Sequence, residues 1–133
     1  ALPNSQLNTT YWLPWYNNVD LDTQLRIGNV SGSTATVHVY IGDVEMLGSP
    51  FTLSASGDGQ STRVSFAGIN SGPVRIVSAV PLIAAERVIY TINGVRTSFS
   101  EMMALPNSQL NTTYWLPWYN NVDLDTQLRF GVP

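Results

Sequence analysis

The residues of this chain that could take part in acid–base chemistry are few and scattered. Glu86 and Arg87 lie inside an otherwise apolar stretch, and His38 is the single histidine. Neighbouring residues of a strand point to opposite faces, so Glu86 and Arg87 each need a separate partner, for which Arg75 and Asp22 are candidates. A catalytic carboxylate requires a second acid or base within reach, and no motif marks one. We therefore expect a buried ion pair or backbone contact at Glu86 and no catalytic residue.

Acidic side chains in or beside predicted loops are the candidates for a metal site. They are Asp20, Asp22, Asp43, Glu45 and Asp58. Carboxylate oxygens suit calcium, but these residues do not have the spacing of the acidic calcium-binding loop. The absence of cysteine removes thiolate zinc sites and thiol catalysis. The sequence therefore predicts solvated turn acids, with no metal site and no cofactor.

Aromatic side chains are concentrated in one short segment. Tyr11, Trp12, Trp15 and Tyr16 lie close together in the sequence, and such rings can stack on sugars or pack in a partly wet junction. Strand alternation places Tyr11 and Trp15 on one face but Trp12 and Tyr16 on the other. A sugar-stacking platform needs its rings on one side, so we favour packing in the core and at a module junction. In the alternative, Trp12, Trp15 and Tyr16 are candidate glycan contacts.

The composition argues against several classes of partner. Charged residues make up 11% of the chain, and all six basic residues are arginine. With a net charge of -3 there is no basic surface to neutralise a phosphate backbone, so nucleic-acid binding is not expected. No apolar run reaches the roughly 18 residues that cross a bilayer. Membrane insertion is not expected either.

A long internal repeat dominates the sequence. Residues 1–26, here called the N-terminal copy, recur without a change as residues 104–129, the C-terminal copy. The copies lie 103 residues apart and diverge from Ile27 and Phe130 onward. A period of this length matches a β-sandwich module rather than a short solenoid repeat. We therefore predict one unit of a tandem array followed by the opening of the next, with an engineered duplication as the alternative.

Within one period, short strands alternate with turn signals, as is typical of a sandwich or barrel. The seven predicted strands cover 11–16, 21–30, 34–41, 50–55, 61–67, 74–79 and 83–92. The segments 21–30 and 34–41 alternate cleanly between apolar and polar residues, and they are predicted to pair as a hairpin. In the first segment the alternation groups Leu25 with Ile27 on the buried side, and in the second it turns Val37 and Val39 inward and His38 and Tyr40 outward. Asn93-Gly94 predicts a tight turn. Residues 96–113 show neither strand nor helix periodicity, so we interpret them as a connection between units.

Several stretches resemble the repeated β-sandwich modules of large secreted bacterial surface proteins. They are YWLPWYNN at 11–18, LDTQLRIGN at 21–29, TATVHVYIG at 34–42 and GPVRIVSAVPLIAAERVIY at 72–90. The resemblance covers most of one period and brings no catalytic residues. It implies an immunoglobulin-like sandwich that works as a stalk, spacer or adhesin module outside the cell, at its surface.

The expected fold is thus an all-β, immunoglobulin-like antiparallel β-sandwich of about seven strands, with a duplicated terminal segment. The predicted organisation has four parts. They are an inter-module linker at 1–10, the sandwich at 11–95, a second linker at 96–113 and the opening strands of the next repeat at 114–133.

One sandwich needs a single aromatic opening strand, and this chain carries two. Because the copies are identical, either could fill the position, and we expect the N-terminal copy to do so. The other copy then exposes large side chains on an unpaired edge. These are Tyr114, Trp115, Trp118, Tyr119, Leu124, Leu128 and Phe130. We expect them to pack at a module junction or to join copies of the chain by strand exchange.

The leading hypothesis is therefore a structural repeat module without enzymatic activity. Its partners would be neighbouring repeats of the same protein, and a homo-oligomer or chain could form through strand exchange. The alternative is a carbohydrate-binding module that uses the segment rich in Trp and Tyr, with a glycan as its ligand.

Overall fold

The computed structural model describes all 133 residues, which form eleven β-strands and three short 3₁₀ turns. The strands are β1 (Asn8–Leu13), β2 (Tyr16–Asn17), β3 (Asp22–Asn29), β4 (Ala35–Ile41), β5 (Val44–Glu45), β6 (Phe51–Leu53), β7 (Ser61–Val64), β8 (Asn70–Ser71), β9 (Val74–Ile92), β10 (Val95–Met103) and β11 (Leu105–Pro106). The 3₁₀ turns cover Asn4–Gln6, Asp58–Gln60 and Asn107–Gln109. Every strand pairing is antiparallel. The prediction of an all-β antiparallel sandwich is confirmed.

Strand β9 is the central strand of the sandwich, because four other strands pair with it. Most of its first part, 74–78, is hydrogen-bonded to β1 on one side and to β4 on the other. Its second part, 82–92, pairs with β3 and β10. Pro81, which has no N–H to donate, lies where the partners change. Strand β9 thereby belongs to both layers, as strands that switch sheets at a bend do.

The core lies between the two layers that share β9. One layer runs β6-β4-β9-β1-β11 and the other runs β7-β3-β9-β10. The buried apolar cluster draws on both layers. It comprises Tyr11, Leu13, Tyr16, Leu25, Ile27, Ala35, Val37, Val39, Ile41, Met46, Leu53, Val74, Ile76, Leu82, Ala84 and Ala104.

The faces predicted for β3 and β4 are confirmed. Leu25 and Ile27 of β3 are buried, as are Val37 and Val39 of β4. Arg26, which lies between Leu25 and Ile27 in β3, is exposed to solvent. Since a strand alternates its side chains with a period of two, one buried apolar row on each strand is enough to fix which face turns inward.

The predicted hairpin between 21–30 and 34–41 is wrong. Strand β3 pairs with β7 and β9, whereas β4 pairs with β5, β6 and β9. The two strands stand on opposite layers, where their apolar rows cover each other across the core. The Asn29 side chain donates hydrogen bonds to the carbonyls of Ser33 (2.7 Å) and Ser54 (2.9 Å), and so it fixes the chain where it crosses between layers.

The segment predicted as a linker at 96–113 is mostly strand. Val95–Met103 forms β10 along the edge of β9, and the predicted turn joins the two, with positive φ angles at Asn93 (51°) and Gly94 (76°). Every residue of β10 is exposed, so the sequence has no burial alternation there to reveal a strand. At the other end of the chain, β1 begins at Asn8, inside the range 1–10 that was also predicted as linker.

Strand β11 closes the outer edge of β1. Pro106 lies opposite Tyr11, and Leu105 lies opposite Trp12. Ala104 and Pro106 are buried, and the Ala104 N–H donates to the carbonyl of Ala84 at 2.9 Å. A proline suits this position because an edge strand needs no donor on its outer side.

We predict that truncation will separate the closing strand from the rest of the C-terminal copy. A chain ending at Met103 loses β11, whereas a chain ending at Leu110 keeps it. The shorter chain is expected to be less stable by on the order of 2 kcal/mol, because it loses buried apolar area and backbone hydrogen bonds. Urea unfolding followed by circular dichroism measures this difference, and equal urea midpoints for the two truncated chains would contradict the closing role of β11.

Candidate functional site

The two identical copies occupy different environments, and the seam where they meet is the main candidate site. In the N-terminal copy, Tyr11 and Tyr16 are fully buried. Their counterparts in the C-terminal copy, Tyr114 and Tyr119, are 57% and 54% exposed. The N-terminal copy therefore supplies the aromatic opening strand of the sandwich.

The hydroxyl groups of the two buried tyrosines tie the N-terminal copy into the fold. The Tyr11 hydroxyl donates to the carbonyl of Leu82 at 2.7 Å and accepts from the N–H of Asn8. The Tyr16 hydroxyl donates to the carbonyl of Thr23 at 2.9 Å and accepts from a backbone N–H of the loop that follows β7. Burial raises the pKa of both tyrosines. These rings carry large apolar area while their polar ends are satisfied.

All seven residues predicted for junction packing or strand exchange are exposed. They are Tyr114, Trp115, Trp118, Tyr119, Leu124, Leu128 and Phe130. None of them lies in a strand, and Trp115 is 91% exposed. Apolar surface of this extent on one segment is a feature of interaction sites.

Beyond β11, the C-terminal copy forms no strand, yet it keeps local hydrogen bonds of the N-terminal copy. The N–H of Val122 donates to the Asn120 side chain at 2.9 Å, as the N–H of Val19 donates to that of Asn17. Further repeated bonds include those that join Asn111 to Tyr114, Thr126 to Asn120, Gln127 to Asp125 and Arg129 to Gln127. The exposed copy therefore keeps local turns and side-chain bonds of the copy that is built into the sandwich, although it does not form the same strands.

The first residues of the two copies also differ in role. Ala104 and Pro106 belong to the packed interior, whereas their counterparts Ala1 and Pro3 are exposed. The sandwich is thus closed by residues that begin the second copy. The two copies are also joined at the 3₁₀ turn that follows β11, where the Trp12 indole N–H donates to the Asn107 side chain at 3.0 Å.

The candidate glycan contacts do not form one surface. Tyr16 is fully buried and cannot contact a ligand, whereas Trp12 is only half-buried. This corrects the expectation that the two rings share one face. The reason is that β1 ends at Leu13, and Pro14 resets the alternation before β2 begins. Trp12 and Trp15 are half-buried, and the Trp15 indole N–H donates to the Asn70 side chain at 2.9 Å.

A row of planar side chains crosses the outer face of the first layer. Trp12, Arg75 and Tyr40 stand side by side on β1, β9 and β4. The Arg75 guanidinium lies 5.8 Å from the Trp12 ring centroid and 4.4 Å from that of Tyr40. Next to Tyr40 stands His38, whose Nδ1 is 2.7 Å from a Glu45 carboxylate oxygen. Flat apolar faces, polar edges and a cation make this row a second candidate contact surface.

Sequence reasoning missed the central member of this row. Alternation along 34–41 placed His38 and Tyr40 outward, but nothing in the sequence indicated that Arg75 would lie between Tyr40 and Trp12. The placement of Arg75 between Trp12 and Tyr40 depends on the register of three strands that are far apart in the sequence.

The charged pair in β9 has partners other than those expected. Arg87 is paired with Glu101 of β10 at 2.6 Å, and Asp22 is paired with Arg96 at 3.4 Å. Glu86 is 4% exposed, and its Oε1 is buried without a hydrogen-bond partner, so the expected ion pair at Glu86 is wrong. Burial raises the pKa of Glu86 to about 7. No group of three or more His, Asp or Glu side chains is arranged to hold a metal ion.

No protein-family model and no curated protein sequence matches the chain. Among solved structures, the crystal structure of Thermotoga maritima 1070 superposes with a TM-score of 0.49 and 12% sequence identity. The superposition covers 75% of this chain and 95% of that chain. No helix of the structure has the length and apolar character needed to cross a membrane.

We predict that Glu86 makes the stability of the fold dependent on pH. Its pKa is raised from 4.5 to about 7 in the folded chain, so the folded state favours the protonated form. Its contribution to stability is full below the unfolded pKa and is lost as pH rises through about 7, a change on the order of 3 kcal/mol. Replacing Glu86 by Gln should remove this dependence and stabilise the chain at alkaline pH.

Urea midpoints measured across this pH range test the prediction. The exposed Asp58→Asn variant serves as the control for a change of one carboxyl group. If Glu86→Gln and the unmodified chain lose stability in parallel as pH rises, the buried carboxyl is not the cause.

Proposed function

We propose that the chain is a structural repeat module of a bacterial surface protein, where it acts as a stalk, spacer or adhesin unit without enzymatic activity. The observation that carries the proposal is the use of the C-terminal copy. Residues 104–106 complete this sandwich, and the residues that follow repeat the segment that opens it. In a tandem array, each unit would therefore be closed by the beginning of the next.

A shared seam of this kind suits an array with a fixed spacing between its units. Only residues 107–110 separate the closing strand of one unit from the opening strand of the following copy. A connection this short leaves little freedom between neighbours, in contrast to the long flexible linkers that join independent domains.

The distribution of polar groups also supports a structural role. The charged side chains that meet one another do so in pairs on the surface, such as Arg87 with Glu101 and His38 with Glu45. The uncharged polar side chains Asn17 and Asn29 are buried and bind loop backbone. Both sets of contacts stabilise strands and turns, which is the requirement of a spacer.

Location outside the cell, at its surface, is part of the proposal and follows from the resemblance of the sequence. Antibodies raised against the chain should label intact cells of the source bacterium. Labelling that appears only after the cells are permeabilised would contradict this location.

We predict that the exposed copy causes the isolated chain to associate. Burial of Trp115, Trp118 and Phe130 against a second molecule would remove apolar area from water, at about 25 cal/mol per Å². The sedimentation coefficient of the full chain should rise with concentration, whereas the chain ending at Leu110 should stay monomeric.

A full-length variant separates the effect of these side chains from that of chain length. In Trp115→Ser/Trp118→Ser, association should weaken although the chain is intact. Association that is equal in the double variant and in the unmodified chain would show that another surface is responsible.

Carbohydrate binding is the second candidate function, and the row of Trp12, Arg75 and Tyr40 favours it. Sugars stack on flat aromatic faces, and the row offers two of them on one side of a sheet. The guanidinium of Arg75 covers part of both rings. A glycan would therefore have to share the rings with this cation.

We predict that any glycan affinity depends on Trp12. In a glycan array, Trp12→Ala should lower binding by about two- to tenfold, the loss of one ring contact of roughly 0.5 to 1.5 kcal/mol. Trp115→Ala changes the identical residue of the other copy, outside the row, and should leave binding unchanged. Loss of the fold in Trp12→Ala, seen by circular dichroism, or equal binding by both variants would count against a glycan site on this row.

A further inference from the structure

The end of the C-terminal copy lies against the sandwich at one particular place. The guanidinium of Arg129 is 3.6 Å from the centroid of the Trp15 ring. Two residues further on, the backbone of Gly131 passes so close to Pro14 and Pro73 that a Cβ atom there would lie 3.1 to 3.3 Å from them. A stacked cation and a close backbone approach in the same place form a specific contact.

A second contact lies at the beginning of the same segment. The Gln109 side chain donates a hydrogen bond to the side chain of Gln6. These two glutamines are the same position of the two copies, one period apart. The 3₁₀ turns Asn4–Gln6 and Asn107–Gln109 therefore lie side by side. The chain leaves the sandwich next to the place where its first strand begins.

Arg129, which stacks on Trp15, has an identical counterpart in the N-terminal copy. Arg129 corresponds to Arg26, which is exposed on the outer face of β3. Each of these arginines donates to the glutamine two residues before it, at 2.6 Å for Arg129 and 3.2 Å for Arg26. Arg26 thus presents to solvent the surface that Arg129 presents to Trp15.

We propose that the Trp15 end of each unit, formed by Pro14, Trp15 and Pro73, is the docking site for the following repeat, whose arginine equivalent to Arg26 stacks on it. The inference rests on the proposed function as a tandem array. Together with the paired glutamine turns, this docking holds each repeat at two separated points. A single contact would let the next repeat swing freely about it, whereas a second contact at a distance restricts that motion.

The consequence for the array is a defined angle between units instead of freely jointed beads. Each unit contributes Trp15 to the joint with the following unit and Arg26 to the joint with the preceding one. The interface is heterologous, with different surfaces in contact, so it repeats along the array without closing on itself.

The mobility of the residues around Arg129 in the full chain tests the docking. Backbone ¹⁵N order parameters for residues 124–132 should be near 0.85 when the segment is docked and below about 0.6 when it is released. Arg129→Ala and Trp15→Ala should each shift them toward the released value. The matched control Arg26→Ala alters the residue of the N-terminal copy that is identical to Arg129, and it should leave the order parameters unchanged.

Two results would overturn the docking. One is an order parameter below about 0.6 in the unmodified chain. The other is an unchanged value in both Arg129→Ala and Trp15→Ala. Because Arg129 is exposed and lies outside the sandwich, its replacement leaves the fold intact and keeps the test decisive even if Trp15→Ala is destabilised.

Failure here is distinguishable from failure of the proposed array. If the chain ending at Leu110 is more stable than the chain ending at Met103, the shared closing strand stands whatever the mobility of 124–132. If those two chains are equally stable, the array itself loses its main support.

Discussion

The structure depends on the backbone hydrogen bonds of β9, which runs through both layers and pairs with four strands. Buried N–H and C=O groups must find partners, and β9 obtains them from β1, β3, β4 and β10, which come from both ends of the chain. Placing β1 beside β9 leaves the other edge of β1 unpaired, and β11 covers that edge. The beginning of the C-terminal copy is therefore required by the same constraint that fixes the centre of the fold.

The identical copies separate local from long-range causes of structure. Bonds that span a few residues, such as Thr23 to Asn17, occur again as Thr126 to Asn120. The bond from Tyr11 to the carbonyl of Leu82 spans 71 residues and has no equivalent at Tyr114, whose hydroxyl donates to the nearby carbonyl of Gln109. A segment that already holds its local shape loses less conformational entropy when a sheet becomes available. This supports the proposal that the C-terminal copy is poised to open a further unit.

Sequence reasoning succeeded where burial produces a periodic pattern and failed where it does not. The inward rows of β3 and β4 could be predicted because each has a buried apolar face. Strand β10 could not, because all its residues are exposed and pairing with β9 leaves no trace in its pattern. The wrong hairpin between β3 and β4 has a related cause: alternation identifies a strand and its inner face, but not the layer to which the strand belongs. At the candidate site, the exposed aromatic set was predictable, whereas Arg75 beside Trp12 and Arg129 on Trp15 were not.

By itself, the sequence determined the all-β class, the strand faces, the turn at Asn93-Gly94 and the local hydrogen bonds of both copies, because each of these depends on residues a few positions apart. Only the tertiary structure decided that the N-terminal copy is buried, that residues 104–106 close the sandwich and that Glu86 is enclosed without a partner. These outcomes depend on which distant backbone edges remain unpaired and on how much apolar surface each placement covers. Two identical segments carry no internal information that distinguishes them, so their different environments can arise only from the rest of the fold.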